Sequence, residues 1–292
     1  MCNQLVVGPN PTPRAEKVFQ AKAFSFIIIL MQATIYKINA QEIITNLRDD
    51  ADESVAAEIF KLREYRMAED FISNLSLPIF DVGAHAGFFT LYARALNSEI
   101  PIIALEPEPQ NFKTLENNVK ANDLKKVTLI KGALAKESGK RELVLSEDNH
   151  NHKLKTSSKE KKIITVQGFD FAYFKKLAPS GFGLIKMDIE GGEYEVFASF
   201  KPGDFANIEA IVMEYHDLPN HNHKEIEQIL RENGFGVQTF PSKFDKTMGF
   251  FWAVNKRKRI WHPTRRGVWW IEVNSAVYKH WHVHIPVDLQ VT

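Results

Sequence analysis

The sequence predicts an α/β fold: a mostly parallel sheet with helices on both faces and an antiparallel hairpin at one edge. Three observations predict it. Short apolar runs alternate with helical segments from Leu77 to about Asn255, at "LPIFDVG", "IPIIALEP", "VTLIKGAL", "GLIKMDIE" and "IEAIVMEYH". The first run passes through Asp81 into Gly83 and Gly87, then into a helix with Phe88, Leu91, Tyr92 and Ala95 at helical spacing. Two further runs, "FGVQTFP" and "MGFFWAVN", are joined by a short polar turn with no helix, which makes them an antiparallel pair.

Taken in order, residues 1–40 read as a leader. Its unbroken apolar core, Phe24 to Met31, falls far short of the roughly 20 residues that span a bilayer, so no membrane span is expected. The "INA" ending at Ala40 resembles a cleavage site, but the stretch begins late for a signal peptide and Gln32 breaks it. Residues 41–76 read as a helical N-terminal extension: "DDADESVAAEIFKLREYRMAEDFISNL" opens with acidic capping residues and places Val55, Ile59, Leu62 and Tyr65 along one face.

Residues 77–255 form the main domain, whose strands are linked by "EPQNFKTLENNVKAND", "GGEYEVFASF" and "HKEIEQILRENG". One insertion, "RELVLSEDNHNHKLKTSSKEKKIITVQGFD", holds two strand-like pieces around a lysine-rich loop, a position suited to shaping a pocket. His150 and His152 in that loop need no ligand to explain them. Residues 256–292 are a basic, aromatic extension with a cluster from Lys256 to Arg259 and a period-two stretch, "HWHVHIPV".

A net charge of +1 over 292 residues gives no reason to expect a general polyanion binder, so no nucleic-acid partner is expected. The single cysteine, Cys2, excludes an internal disulfide framework and a cysteine-ligated zinc, and fits a reducing, cytoplasmic setting. Nothing in the sequence signals an oligomeric state.

The glycine turn reads Gly-Ala-His-Ala-Gly and lacks the middle glycine of the dinucleotide fingerprint, which disfavours a pyrophosphate and hence an NAD-dependent oxidoreductase. Glu106 closes the next strand, where a carboxylate accepts hydrogen bonds from both ribose hydroxyls. Asp81 adds negative charge that repels a pyrophosphate but suits a ligand carrying a sulfonium and an ammonium group. S-adenosylmethionine carries both and is the expected cofactor.

Further along, Asp188 and Glu190 fall on one side if their strand continues through both, and Gly191 and Gly192 turn the chain into a helix near Glu193. Methyl transfer needs alignment of donor and acceptor. An alcohol acceptor also loses a proton, for which Asp188, Glu190 and His216 are the candidate bases. A hydrogen-bonded histidine at a strand end is the competing account of His216. Enzymes that methylate adenine or amide nitrogen carry an Asn/Asp-Pro-Pro-aromatic block here; Asp-Ile-Glu-Gly leans toward oxygen. In "MEYHDLPNHNH", Glu214, His216, Asp217, His221 and His223 form a polar concentration whose spacing alone establishes no metal, and no metal ligand is assigned.

Together, "IFDVGAHAGFFTLYA", "IALEPEPQNFKTLENNVKAND", "KGALA" and "LIKMDIEGGEYEVF" resemble the FkbM-type family of S-adenosylmethionine-dependent methyltransferases, over roughly Ile43 to Val254. The resemblance implies a Rossmann-like class I methyltransferase sheet. It also implies that Asp81, Gly83 and Gly87 line the methionine end of the cofactor, with His85 in place of the asparagine usual in the turn. Glu106 would hold the ribose, with Pro107 and Asn111 beside it, and Gly132 and Ala133 would sit near the adenine. Asp188 and Glu190 would lie where the fourth strand opens toward the methyl. The implied activity is O-methylation of a small-molecule or carbohydrate acceptor. The alternatives are a cofactor-binding module without transfer and a nucleic-acid binder acting through Lys256 to Arg259. The tail after Asn255 has no counterpart in the family pattern.

Overall fold

A computed structural model describes residues 32–39, 41–145, 153–154, 162–242 and 245–257. The leader's apolar run, His150, His152, Arg259 and the period-two stretch of the tail lie outside the described residues.

The chain enters through a two-stranded sheet, β1 (Gln32–Ile38) and β2 (Gln41–Leu47). Tyr36 and Ile38, then Ile43, Thr45 and Leu47, are the buried positions, the period-two signature of strands with one face covered. Helix α1 (Asp50–Phe60) follows, capped by the Asp49 carboxylate, which accepts the Asp52 N–H. Helix α2 (Glu69–Ser73) completes the region, where Glu69 binds both Arg63 and the Tyr92 hydroxyl.

The main sheet has seven strands: β3 (Ile79–Val82), β4 (Ile102–Glu106), β5 (Val127–Lys131), β10 (Phe182–Met187), β11 (Ile208–His216), β12 (Phe235–Pro241) and β13 (Met248–Asn255). Their order is β12-β13-β11-β10-β3-β4-β5. β3 pairs in parallel with both β10 and β4, so the order reverses there and the sheet opens a crevice beyond the carboxyl ends of those strands. β13 is antiparallel to both β11 and β12, as the helix-free connection between the last two runs predicts. β3, β4 and β10 are buried on both faces and are therefore apolar except at Asp81, Glu106 and Lys186.

Helices cover both faces. Helices α1, α2 and α3 (Phe88–Leu96) pack with Ile79, Leu184, Val212 and Trp252 on one side. On the other, α5 (Phe171–Leu177), α6 (Glu193–Ser199) and α8 (His223–Glu232) pack with Phe80, Val82, Ile185, Met213 and Phe251. Helix α4 (Pro109–Ala121) stands beside β4, and α7 (Pro202–Phe205) is a single turn before β11. The insertion forms a four-stranded sheet ordered β6-β9-β7-β8, from β6 (Ala133–Leu134), β7 (Gly139–Leu145), β8 (Lys153–Leu154) and β9 (Lys162–Phe169). No helix among the described residues is long and apolar enough to cross a membrane.

Candidate active site

A cavity of about 720 Å³ opens at the carboxyl ends of β3, β4 and β10. Its inner end is built by the turns after those strands. Gly83 (φ +74°) lies so close to the exit of β10 that an added Cβ would stand 1.9 Å from the Asp188 carbonyl oxygen. Glycine is required there by both conformation and space. His85 also has positive φ, at 52°, in the left-handed region that asparagine and histidine tolerate better than other residues. Its backbone N–H donates to Glu106 Oε2 at 2.8 Å, while Glu106 Oε1 accepts the Glu108 N–H at 2.9 Å. Asn111 Nδ2 stands 3.5 Å from the same Oε1. Burial outweighs these bonds and raises the Glu106 carboxyl to about 7.

The His85 ring is held from the N-terminal extension. Arg48 grips the buried Asp52 carboxylate through Nε at 2.8 Å and Nη2 at 2.6 Å, and His85 Nε2 lies 3.6 Å from Asp52 Oδ1. Burial opposes the Asp52 charge, yet Arg48 and His85 outweigh it and hold the carboxyl below its ordinary range. Gly132 follows β5 where a Cβ would come within 2.6 Å of the Gln167 carbonyl oxygen, and with Ala133, Leu134 and Leu143 it gives the cavity an apolar corner.

Two of the residues expected beside the cofactor lie off the cavity wall. Asp81 is fully buried and is not among the residues lining the cavity: its Oδ2 accepts the Thr90 hydroxyl at 2.7 Å, and Lys186 Nζ lies 3.5 Å from Oδ1. The β3–β10 register sets Lys186 beside Asp81, and the lysine, which does line the cavity, also donates to the Gly83 carbonyl at 2.8 Å. Gly87 is likewise off the wall; a Cβ there would meet Leu115 Cδ1 at 2.5 Å, so it permits close packing of α3 on α4.

The outer end is acidic. Asp188 and Glu190 both line it, but β10 ends at Met187 and Glu190 sits in a turn with φ 53°. The strand therefore does not continue through both; the turn brings them together. Glu214, from β11, joins them, as do Glu58 of α1 and Glu64. Burial and the Asp188 charge raise the Glu58 carboxyl to about 7. Burial, then Glu58 and Asp188, push Glu64 well above the ordinary carboxylate range, and burial with Asp188 does the same to Glu214. Ser54, Val55, Ile59, Tyr65, Phe88 and Phe89 complete this wall. Period-two alternation alone could have flagged Glu214, which shares a strand face with Val212. Glu58, Glu64 and Tyr65 reach the cavity through long-range packing that the local sequence does not report.

His216 lies behind the wall rather than on it. Its Nδ1 bonds the fully buried Glu193 at 3.2 Å, and its Nε2 is 3.5 Å from Glu190 Oε2 and 4.0 Å from Glu214 Oε1. Burial opposes the imidazolium, but the Glu193 bond with Glu214 and Glu190 outweighs it and holds the His216 pKa well above its usual value. The other polar residues of this segment serve a helix terminus. Asp217 accepts the His223 N–H at 2.6 Å, His221 Nδ1 pairs with Glu225 at 3.1 Å, and Asn222 caps α8.

A parallel sheet that reverses at a glycine turn, a carboxylate closing the next strand and one antiparallel strand second from the edge define a class I methyltransferase fold. Residues 81–237 match the methyltransferase FkbM domain, and the chain belongs to that family. It is similar to Methyltransferase 1 of Beauveria bassiana (strain ARSEF 2860), with 24% identity over 180 residues, 54% of this chain and 72% of the relative. Among solved structures it is similar to a SAM-dependent methyltransferase from Agrobacterium tumefaciens, with TM-score 0.45, 10% identity, and coverage of 77% of this chain and 71% of the other. A precorrin-6y C5,15-methyltransferase from Geobacter metallireducens GS-15 aligns with TM-score 0.41 and 15% identity over 65% of this chain and 87% of the other.

Proposed function

We propose that this chain transfers the methyl group of S-adenosylmethionine to a hydroxyl oxygen of a small molecule or sugar. The observation that carries the reading is Glu106. Each of its carboxylate oxygens already holds one backbone N–H, from His85 and Glu108, which fixes the group and leaves lone pairs free. A carboxylate held in this way suits the two hydroxyls of a ribose. The apolar corner at Gly132, Ala133, Leu134 and Leu143 suits an adenine, and the acidic outer end suits a sulfonium. Ligand pockets commonly hold about 300–1,000 Å³, so a 720 Å³ cavity accommodates the cofactor with a small acceptor.

When bound, the cofactor supplies an electrophilic methyl whose transfer to oxygen breaks a carbon–sulfur bond and leaves a neutral thioether. The protein's part is placement, exclusion of water and removal of the hydroxyl proton. Tyr65, Phe89 and Met248 give the outer end apolar cover. Asp188 and Glu190, on the wall, are the groups placed to take the acceptor's proton, a contribution of about 10²–10⁴-fold. His216 supports them from behind through Glu190. Asp188 and Glu190 on the wall repel phosphate, which favours a small neutral acceptor over nucleic acid.

Calorimetric titration with S-adenosylmethionine, S-adenosylhomocysteine and NAD in parallel tests the cofactor half, and labelled-methyl transfer to a panel of polyols and sugars tests the acceptor half. Binding of the first two without NAD, followed by alkali-stable incorporation into a hydroxyl compound, is the expected result. Binding of NAD, or of none of the three, refutes it.

A further inference from the structure

At the cavity's acidic end, Asp188 and Glu214 on the wall and His216 behind it offer one ligand atom each, all within 4.8 Å of one another. They arrive from two neighbouring strands: β11 places Glu214 and His216 on one face by its period of two, and β10 ends just before Asp188. Bonds of about 2.1 Å to a six-coordinate hard cation put neighbouring donors about 3 Å apart. The 4.0 Å between His216 Nε2 and Glu214 Oε1 reaches that by small side-chain rotations.

A second observation separates this group from an ordinary acidic cluster. His216 Nε2 is buried without a hydrogen-bond partner, although the rest of the ring is firmly held. Glu193, fully buried at the start of α6, takes the opposite nitrogen at 3.2 Å. A carboxylate on one imidazole nitrogen with the other aimed at further acids is the arrangement that orients metal-bound histidines. Among the described residues, Lys186 is the single lysine or arginine lining the cavity, and it is committed to Asp81 and the Gly83 carbonyl rather than to Asp188 or Glu214.

We infer that Asp188, Glu214 and His216 bind one divalent cation of the magnesium–manganese class, oriented by Glu193 behind His216. Two carboxylates and one imidazole suit Mn²⁺ or Mg²⁺ better than a thiophilic metal. At this place in the cavity the ion is a Lewis acid for an acceptor hydroxyl, promoting loss of its proton to Glu190. That use of the ion rests on the proposed O-methyl transfer; the site itself does not.

The test uses the full chain, stripped with chelator and titrated with Mn²⁺ alone by calorimetry and electron paramagnetic resonance. One Mn²⁺ per chain is expected, with hyperfine coupling to an imidazole nitrogen. His216→Gln should remove that coupling and weaken binding at least about tenfold, and Glu193→Gln should weaken it about 10–100-fold while keeping the coupling. Glu214→Gln provides a second ligand variant if His216→Gln fails to fold by circular dichroism, and His221→Gln should leave binding unchanged. Absence of saturable Mn²⁺ binding by the folded chain, or binding unaltered in the Glu214 and His216 variants, overturns the inference. S-adenosylmethionine is titrated into the same preparations without metal. Cofactor binding without Mn²⁺ binding refutes the cation site and leaves the methyltransferase reading standing; Mn²⁺ binding without cofactor binding does the reverse.

Discussion

Glu106→Gln separates two properties that one carboxylate carries. In the folded chain burial raises this group from its ordinary 4.5 to about 7. The folded protein therefore keeps a proton that the unfolded chain has already released. Stability supported by that proton is complete below the unfolded value and is lost as the pH rises through the folded one. The shift corresponds to about 3 kcal/mol, lost between about pH 5 and about pH 8. Glutamine cannot ionise, so the variant lacks this loss. It carries a separate, pH-independent cost of about 1–3 kcal/mol, because its amide NH₂ must face one of the two backbone donors that the carboxylate serves. The informative quantity is the change in the difference with pH: between about pH 5 and about pH 8 the variant should gain about 3 kcal/mol relative to wild type. Glu58, also raised to about 7, is present in both proteins and cancels. Urea unfolding at matched pH values measures the difference directly. Parallel curves for the two proteins would refute the assignment of this ionisation to Glu106.

Three further perturbations follow from the same geometry. Gly83→Ala forces a side chain into a left-handed conformation and against the Asp188 carbonyl, a loss of at least about 2 kcal/mol in urea unfolding; an unchanged midpoint would show that the turn relaxes freely. Lys186→Met leaves the Asp81 carboxylate buried without its cation and should cost about 3–5 kcal/mol, much of it recovered when Asp81→Asn is added; a double variant no better than the single one would contradict the pairing. Asp188→Asn should lower labelled-methyl transfer at least about tenfold while moving stability by no more than about 0.5 kcal/mol; wild-type transfer in that variant would remove Asp188 from the chemistry.

Much of the fold is legible in the sequence because its signals are local. The five parallel strands are short apolar runs bounded by turn residues, and the β12–β13 hairpin follows from the missing helix. The places of Glu106, Gly132 and Asp188 on the cavity wall are legible for the same reason, each at or just past the end of a strand that is easily seen. What escapes is direction and partnership. A carboxylate at the end of β3 looks alike whether it faces the crevice or the core; its pairing with Lys186 depends on β10 lying alongside, more than a hundred residues later in the chain. Gly87 reads as a ligand-binding glycine, although its neighbour is Leu115. The strands β1 and β2 do alternate, but over segments rich in polar residues that carry little apolar signal. The acid wall from Glu58 and Glu64 exists only once α1 folds over the sheet.

The family match begins at Asp81, whereas Ser54, Val55, Glu58, Ile59, Glu64 and Tyr65 come before it and still form one side of the cavity. One side of the cavity is thus supplied from outside the matched segment. Substitutions at Ser54, Val55, Glu58 or Ile59 reshape that side while Asp52, which holds the His85 ring beside the Glu106 cradle, stays in place. A chimera exchanging only residues 81–237 with a relative would keep this chain's own Ser54, Val55, Glu58, Ile59, Glu64 and Tyr65 against a substituted remainder of the wall.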